Sequence, residues 1–200
     1  MSKPIVLASS SRYRGELLSR LRIDFRVEVP AIVELRLPDE PHAETAERLA
    51  RLKAHAAGAR VPGSIVIGAD QVAELDGVAI GKPGNHEAAL VQLLAMQGRV
   101  VEFHSGLAVL DVDQGECVSA CVPTRVQFRT LPRAVLDAYL RADEPYDCAG
   151  SAKIESLGIS LVERVECDDP TALIGLPLIR LVCLLAHFGI AVPAASSPTS

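Results

Sequence analysis

Two segments of the sequence carry side chains suited to binding or cleaving a phosphate compound. Residues 9–14 read Ser-Ser-Ser-Arg-Tyr-Arg and lie between a predicted strand and a predicted helix. At such a place, backbone N–H groups and the positive end of the helix dipole attract anions. Asp70 follows the apolar run 65–68, at the strand end where open α/β sheets present functional groups. Simpler interpretations stay open, namely a serine that caps the helix and a carboxylate in a turn.

Lysine is rare in this chain, and its positions are informative. Four lysines, at positions 3, 53, 82 and 153, occur among 20 basic residues, so arginine is the default surface cation. Lys53 lies on a predicted helix face, Lys82 in a Gly-Lys-Pro segment, and Lys153 in a segment that begins with glycine. A flexible ammonium binds a phosphate oxygen as a point charge. Chance placement is the alternative for each lysine taken singly.

Apolar periodicity predicts strands and helices interspersed along the chain. Strands are predicted at 4–8, 25–29, 64–68, 100–112, 117–128 and 159–165. Helices are predicted at 13–21, 44–57, 85–96 and 132–141, with a closing helix from about residue 177. Asp76-Gly77 predicts a hairpin turn, Asn85 a helix cap, and residues 168–170 a helix-capping turn. Strands joined partly by hairpins and partly by helices predict an α/β fold, a mixed twisted sheet flanked by helices.

Composition and charge limit the classes of function. A chain of 200 residues, 49% hydrophobic and 22% charged, predicts a single domain over residues 1–192 and a disordered tail over 193–200. The net charge of −5 argues against a surface that follows long nucleic acid. The first apolar run is too short for a signal peptide, and the run 173–192 is interrupted by polar residues. We therefore expect a cytoplasmic protein with no membrane partner and no nucleic-acid partner.

Cysteines and histidines follow no pattern of a metal or redox centre. None of the five cysteines forms a Cys-x-x-Cys pair, which is typical of reduced thiols in a cytoplasm. The five histidines lack the spacing of a histidine-bound zinc site. The sequence also has no glycine-rich dinucleotide loop and no Walker loop.

Several short motifs occur in a fixed order over nearly the whole chain. They are Leu-Ala-Ser-Ser-Ser at 7–11, Ile-Gly-Ala-Asp-Gln at 67–71, Gly-Lys-Pro at 81–83 and Gly-Leu-Pro at 175–177, with Arg14, Glu34, Lys53 and Ala149-Gly150. From about residue 4 to residue 190, this series resembles the Maf family of nucleoside triphosphate pyrophosphatases. The resemblance implies a Maf/ITPase-like fold with a cleft between two lobes. Within that family, the sequence most resembles the 7-methyl-GTP branch (the YceF-like proteins). The segments that carry this likeness are residues 68–72, 148–155 and 169–179.

The resemblance assigns roles to nine residues. Its catalytic acidic residue falls on Asp70. Its phosphate-binding groups fall on Ser9, Arg14, Lys53 and Lys82. Its metal ligands, for Mg²⁺ or Mn²⁺, fall on Glu34 and Asp70. Its base-recognition positions fall on Tyr13, Gln71 and Glu155.

Base recognition has a physical basis in these residues. The Glu155 carboxylate can accept hydrogen bonds from both N1–H and the exocyclic amine of guanine, a pairing that no pyrimidine reproduces. Methylation at N7 makes the purine cationic. A cation–π contact with the Tyr13 ring would then stabilise the bound methylated base by about 0.5–2 kcal/mol relative to unmodified guanine. Tyr13 stands where that branch usually has tryptophan, Val33 where an acidic residue is common, and Leu52 where a polar residue is found. Only the change at Tyr13 concerns specificity directly.

The resemblance implies hydrolysis of 7-methyl-GTP to 7-methyl-GMP and pyrophosphate, which removes a modified nucleotide from the pool. Two alternatives stay open. One is a dTTP/UTP pyrophosphatase of the same family, and the other is a nucleotide-binding regulator of cell division with incidental hydrolysis. The sister branch has Arg, Thr and Gln at positions 13, 71 and 155, so this sequence speaks against it. Homodimers are common among relatives, which leaves a homodimer open.

Overall fold

The computed structural model describes residues 3–193. Its strands are β1 (Ile5–Ala8), β2 (Phe25–Val27), β3 (Ile65–Leu75), β4 (Val78–Ile80), β5 (Val100–Asp111), β6 (Glu116–Phe128) and β7 (Val162–Cys167). Its α-helices are α1 (Arg12–Ser19), α2 (His42–Gly58), α3 (His86–Met96), α4 (Arg133–Asp143) and α5 (Leu178–His187). Among residues 3–193, no helix has the length and apolar character required to cross a bilayer. The predicted disordered tail lies outside the described residues from residue 194 onward.

The strands form one mixed sheet, which confirms the predicted fold class. The strand order is β2-β1-β3-β5-β6-β7, and β4 pairs with β3 off this path. β1 pairs in parallel with both β2 and β3. β4 runs antiparallel to β3, and β7 runs antiparallel to β6. Helices connect the parallel strands, and a tight turn connects the antiparallel pair β3–β4, as the sequence predicts, whereas the antiparallel pair β6–β7 is connected through α4.

The chain divides into two compact units. The first comprises the described parts of Met1–Asp70, Ser105–Val122 and Asp169–Ser200. The second comprises Gln71–His104 and Pro123–Asp168. The single domain over residues 1–192 stays a prediction.

Alternation along the strands builds two apolar layers in the first unit. Ile5 and Leu7 of β1 belong to one buried cluster, which also contains residues of α1 and α5. Val6 and Ala8, which point to the opposite face, belong to a second cluster with alanines of α2. The sheet is therefore covered on both faces, as parallel strands require.

Helix α2 lies very close to the sheet because two glycines leave room for its backbone. A Cβ atom at Gly68 of β3 would lie 2.1 Å from the carbonyl oxygen of Ala50, and one at Gly106 of β5 would lie 2.1 Å from that of Ala46. The helix carries alanine at this contact, so no long side chain separates the helix backbone from the strand backbone. This close packing sets the distance between the strands and the residues of α2 that face the sheet.

In the second unit, local signals set the elements as predicted. Asp76 and Gly77 both have positive φ, 50° and 78°, in the turn between β3 and β4. The Asn85 side chain accepts a hydrogen bond of 2.9 Å from the Ala88 N–H and so caps α3. α3 then packs on α4.

Replacing Gly68 by alanine tests the close approach of α2. The added Cβ overlaps backbone atoms of the helix, so we expect the free energy of unfolding to fall by at least about 2 kcal/mol. Gly15→Ala is the control, because a Cβ there has no atom within 4 Å and α1 gains about 0.5–1 kcal/mol in helix propensity. Urea denaturation of both variants measures the effect, and equal stability of Gly68→Ala and the parent protein would contradict the packing described.

Candidate active site

The centre of the candidate site is the buried ammonium of Lys53. Its Nζ lies 2.5 Å from Asp70 Oδ1 and 2.8 Å from Glu34 Oε1. Lys53 and Asp70 are each 6% exposed, whereas the Glu34 side chain is 55% exposed. Three separate elements of the first unit thus bring one cation and two carboxylates together, and all three residues are among those singled out in the sequence.

Helix α2 and strand β3 position Lys53 and Asp70. Lys53 lies on the face of α2 that carries Ala50 and Ala54, next to Gly68 of β3. Asp70 lies inside β3, which continues to Leu75, rather than at the end of a shorter strand as the apolar run indicated. The pairing depends on the close approach at Gly68, since the ammonium reaches a carboxylate two residues further along the strand.

Arginines of α2 and of the turn after it hold the loop that carries Glu34. Arg48 Nη2 donates a hydrogen bond of 3.0 Å to the Leu35 carbonyl. Arg60 Nη2 donates one of 2.6 Å to the Val29 carbonyl, nearer the start of the loop. Arg48 also donates to both carboxylate oxygens of Glu40, which lowers the pKa of Glu40 to about 2. Glu34 is therefore presented by a loop that is fastened at both ends.

Ser9 and Arg14 form a second part of the site in the same unit. Ser9 is 3% exposed, and its Oγ accepts hydrogen bonds from the Ser11 N–H at 3.1 Å and from Arg14 Nη1 at 3.5 Å. Arg14 Nε donates to the carbonyl oxygen of Gly175 at 2.9 Å, which orients the guanidinium. Ser11 occupies the N-cap of α1 and makes no side-chain cap hydrogen bond. The predicted capping by a serine is therefore not what Ser11 does.

The N-terminus of α5 is already satisfied by a carboxylate. Asp169 Oδ2 accepts hydrogen bonds from Ile179 N at 2.7 Å and from Arg180 N at 3.2 Å. Its Oδ1 accepts one of 2.7 Å from the Thr171 hydroxyl, which in turn accepts from Leu178 N. This confirms the predicted capping turn. The N–H groups at the start of α5 therefore already have acceptors.

For both Asp70 and Arg14, burial shifts the pKa in one direction, and the oppositely charged neighbours shift it in the other. Burial raises the pKa of Asp70 above its ordinary value of 3.8, and Lys53 and Arg14 oppose that rise. Glu34 adds to the rise because it is a second negative charge nearby. Burial also lowers the pKa of Arg14, which Asp70 and Glu34 oppose. An aspartate with a raised pKa is suited to accept a proton near neutral pH.

The donor set fits a divalent cation. Lys53 and Arg14 carry positive charge and Asp70 and Glu34 carry negative charge, so the two cations balance the two carboxylates. Two carboxylate oxygens that already converge on one ammonium are the hard ligands that Mg²⁺ and Mn²⁺ prefer. A further positive charge at Glu34 and Asp70 would also relieve their mutual repulsion.

Tyr13 already carries a cation on its ring. The Arg12 guanidinium carbon lies 4.8 Å from the ring centroid, and Arg12 Nη2 donates to the Tyr13 hydroxyl at 3.1 Å. The contact is a cation–π pair of the kind predicted for a methylated purine. A cationic base therefore has to use the other face of the ring or replace Arg12.

Three of the nine candidate residues belong to the second unit: Gln71, Lys82 and Glu155. Lys82 and Glu155 are exposed, and Gln71 is half-buried. Their roles toward a nucleotide stay predictions. Lys153, which the scarcity of lysine also singled out, donates from Nζ to the carbonyl oxygen of Asp143 at 2.8 Å at the end of α4. It caps that helix.

A group that sequence spacing did not indicate lies in the second unit. Glu74, Glu102 and His104 place one ligand atom each within 4.8 Å of one another. His104 Nε2 lies 3.3 Å from Glu74 Oε2, and Arg125 pairs with Glu102 at 2.6 Å. The arginine thus offsets the charge of one of the two carboxylates. These residues come from neighbouring strands β3 and β5, so no motif along the chain brings them together.

Gly175 and Arg48 are further positioning residues whose roles the sequence did not reveal. Gly175 has a φ of 110° and acts through its carbonyl oxygen, which leaves no trace in a side-chain pattern. The glycine itself, inside Gly-Leu-Pro, was the available signal. Arg48 is one of many arginines on a helix surface, and composition does not single it out.

Comparison with known proteins identifies one family and several relatives that share one name. The model of the family described as Maf-like protein matches residues 4–188. A protein of Cupriavidus metallidurans named 7-methyl-GTP pyrophosphatase is 59% identical over 185 residues, 92% of this chain and 93% of that protein. Proteins of the same name from Burkholderia pseudomallei and Bordetella pertussis are 56% and 55% identical, over 98% and 93% of this chain and 93% and 92% of their own lengths. Among solved structures, the Staphylococcus aureus Ham1 protein is similar with a TM-score of 0.45 and 21% identity, over 63% of this chain and 72% of that one.

The raised pKa of Asp70 predicts a pH-dependent difference between the protein and its Asp70→Asn variant. The folded state binds the Asp70 proton more tightly than the unfolded chain, so this stabilisation is complete below the ordinary pKa of 3.8. It is lost as the pH rises through the folded-state pKa. Relative to wild type, Asp70→Asn should therefore gain stability as the pH rises from below 4 toward neutral.

Denaturant unfolding at several pH values measures that difference. Asp39→Asn, at an exposed carboxylate, is the control for the loss of one negative charge. A relative stability of Asp70→Asn that falls with rising pH would mean that the ion pair with Lys53 outweighs burial.

Proposed function

Because the chain belongs to the Maf family, we propose that it is a metal-dependent pyrophosphatase that hydrolyses 7-methyl-GTP to 7-methyl-GMP and pyrophosphate. The proposal rests on one observation above all: the buried Lys53 ammonium holds Asp70 and Glu34 together. The shared name of the relatives at 55–59% identity supports this substrate. Such an enzyme removes a modified nucleotide from the triphosphate pool.

Phosphate binding falls to the basic and hydroxyl groups of the site. Arg14 presents a planar guanidinium, oriented by Gly175, and Ser9 offers a hydroxyl beside it. Lys53 and Lys82 act as point charges on phosphate oxygens. Each of these groups offsets part of the negative charge of a triphosphate.

Proton transfer falls to Asp70. Water attacks phosphorus, an oxygen–phosphorus bond forms, and the bridging bond between the α- and β-phosphates breaks, so that pyrophosphate leaves. The proton of the attacking water passes to the Asp70 carboxylate, whose raised pKa makes it a better base than an ordinary aspartate. Lys53 holds that carboxylate in one orientation by its contact with Oδ1.

Glu34 and Asp70 are the residues that would hold a divalent cation, Mg²⁺ or Mn²⁺. When bound there, the cation supplies positive charge against the phosphate oxygens. The exposure of Glu34 lets its carboxylate turn from Lys53 toward such a ligand. Glu34 would therefore bind the cation, and Asp70 would both bind the cation and accept the proton of the attacking water.

Base selection falls to Tyr13, Gln71 and Glu155. Glu155 is exposed and accepts from the N1–H and the exocyclic amine of guanine. Tyr13 stacks against the methylated purine on the face that Arg12 leaves, and Gln71 follows the catalytic Asp70 directly along β3. The partner is a small-molecule triphosphate, with no nucleic acid and no membrane, in the cytoplasm, and the protein acts as a monomer or a homodimer.

A panel of triphosphates tests the proposal. With Mg²⁺ or Mn²⁺ present, we expect pyrophosphate release from 7-methyl-GTP to exceed that from GTP, dTTP and UTP. Asp70→Asn should lower kcat by at least about 100-fold, since the base is lost while the fold remains. Circular dichroism of the variant checks that it is folded.

Three results would contradict this assignment. Faster release from dTTP or UTP would indicate the sister activity. Binding of 7-methyl-GTP without turnover would indicate a nucleotide-binding regulator. Wild-type turnover in folded Asp70→Asn would exclude the base.

Replacing Glu155 by glutamine tests base recognition. The amide keeps the size of the side chain but loses one acceptor, so the ratio of kcat/KM for 7-methyl-GTP to that for dTTP should fall about 10- to 100-fold. Glu163→Gln removes the same charge from an exposed position on β7 in the same unit and should leave the ratio unchanged. An equal loss on both substrates in Glu155→Gln would instead indicate a structural role.

A further inference from the structure

Gln92 lies between two segments that carry candidate substrate residues. It belongs to α3, in the second unit, and is half-buried. Its Nε2 donates a hydrogen bond of 3.0 Å to the carbonyl oxygen of Gly81, directly before Lys82. Its Oε1 accepts one of 2.6 Å from the Ser151 hydroxyl, four residues before Glu155. One side-chain amide thus contacts both segments.

The chemistry of the two neighbours fixes the direction of the amide. The Gly81 carbonyl can only accept, so it requires the NH₂ group of Gln92. The carbonyl oxygen of the amide then faces Ser151, whose hydroxyl donates. The opposite orientation would place two acceptor oxygens against each other at Gly81.

Ser151 needs this contact more than an ordinary serine does. It is fully buried and has a φ of 53°, a left-handed conformation that costs a residue with a Cβ free energy. Gly150 before it also has positive φ, and a Cβ there would lie 3.2 Å from the Phe103 ring. The bond to Gln92 satisfies the buried hydroxyl and holds the strained backbone.

From Ser151 onward, the chain is fastened to α4. The Lys153 N–H donates to the Tyr139 hydroxyl at 3.0 Å, and the Ser156 hydroxyl donates to Asp143 Oδ1 at 2.8 Å. Glu155 lies between these two anchors, so its backbone is fixed on both sides. The position of residues 151–156 is therefore set by Gln92 at one end and by α4 at the other.

The loop of Lys82 is fastened in the same way. Besides the bond from Gln92 to Gly81, the Gly84 N–H donates to the Tyr146 carbonyl at 3.0 Å. Lys82 is therefore flanked by two backbone anchors. The amide of Gln92 is common to this loop and to the segment of Glu155.

We propose that Gln92 is a positioning residue that sets the spacing between Lys82, which binds phosphate, and Glu155, which binds the base. The inference rests on the proposed function of those two residues. Gln92 touches no reacting atom, so its contribution is to hold two substrate contacts at one separation. A ligand that spans both contacts then binds without first ordering either segment.

Gln92→Met tests the role, because methionine keeps the length of the side chain and removes both hydrogen bonds. We expect KM for 7-methyl-GTP to rise about tenfold while kcat stays within about twofold. Hydrogen exchange should increase at residues 81–84 and 151–156 together. Gln97→Met is the matched control, since Gln97 follows the same helix and binds the Leu131 N–H at 2.6 Å, away from both segments.

Gln92→Glu separates the two bonds. A carboxylate still accepts from Ser151 but cannot donate to Gly81. Exchange should therefore increase at residues 81–84 and stay low at 151–156. Adding Ser151→Ala to Gln92→Met should cause no further rise in KM, because the bond is already lost.

Unchanged KM in Gln92→Met, or an equal rise in Gln97→Met, would overturn the positioning role. Unchanged exchange at either segment in Gln92→Met would overturn it as well. Absence of pyrophosphate release by the wild-type protein from every triphosphate would contradict the proposed function itself. Normal wild-type kinetics with an unaltered Gln92→Met would contradict only the inference about Gln92.

Discussion

The burial of one ammonium is the constraint on which the site depends. A charged group removed from water requires compensating charge at close range, and Lys53 finds it in Asp70 and Glu34. Those two carboxylates come from a strand and from a loop, so the ion pairs join three parts of the first unit. They exist only because glycine at position 68 lets α2 approach the strand so closely. Packing of small residues thus decides where charge lies.

Local signals predicted much of the fold. The turn at Asp76-Gly77 and the cap at Asn85 depend on a few neighbouring residues, and both occur as expected. The bounds of α3 follow from that cap, and the alternation of β1 follows from its two apolar faces. Such features need no knowledge of distant parts of the chain.

Features that depend on tertiary packing escaped the sequence. β3 continues for five residues beyond Asp70, since residues 73–75 pair with β4, which satisfies their backbone groups. Residues 157–161 form a tight helical turn, so β7 begins only at Val162 instead of at residue 159. The sequence singled out Lys53 and Asp70 separately, but their direct contact depends on how α2 lies on the sheet. The roles of Gly175 and Gln92 rest on backbone carbonyls, which composition does not record.

The left-handed backbone at Ser151 has an evolutionary consequence. Glycine would adopt that conformation with less strain, but its greater freedom in the unfolded chain and the loss of the buried hydrogen bond to Gln92 would offset this gain in stability. The same substitution would remove the hydroxyl that donates to Gln92, so the protein would bind its ligand less tightly. Affinity for the ligand, rather than stability, therefore favours serine at this position.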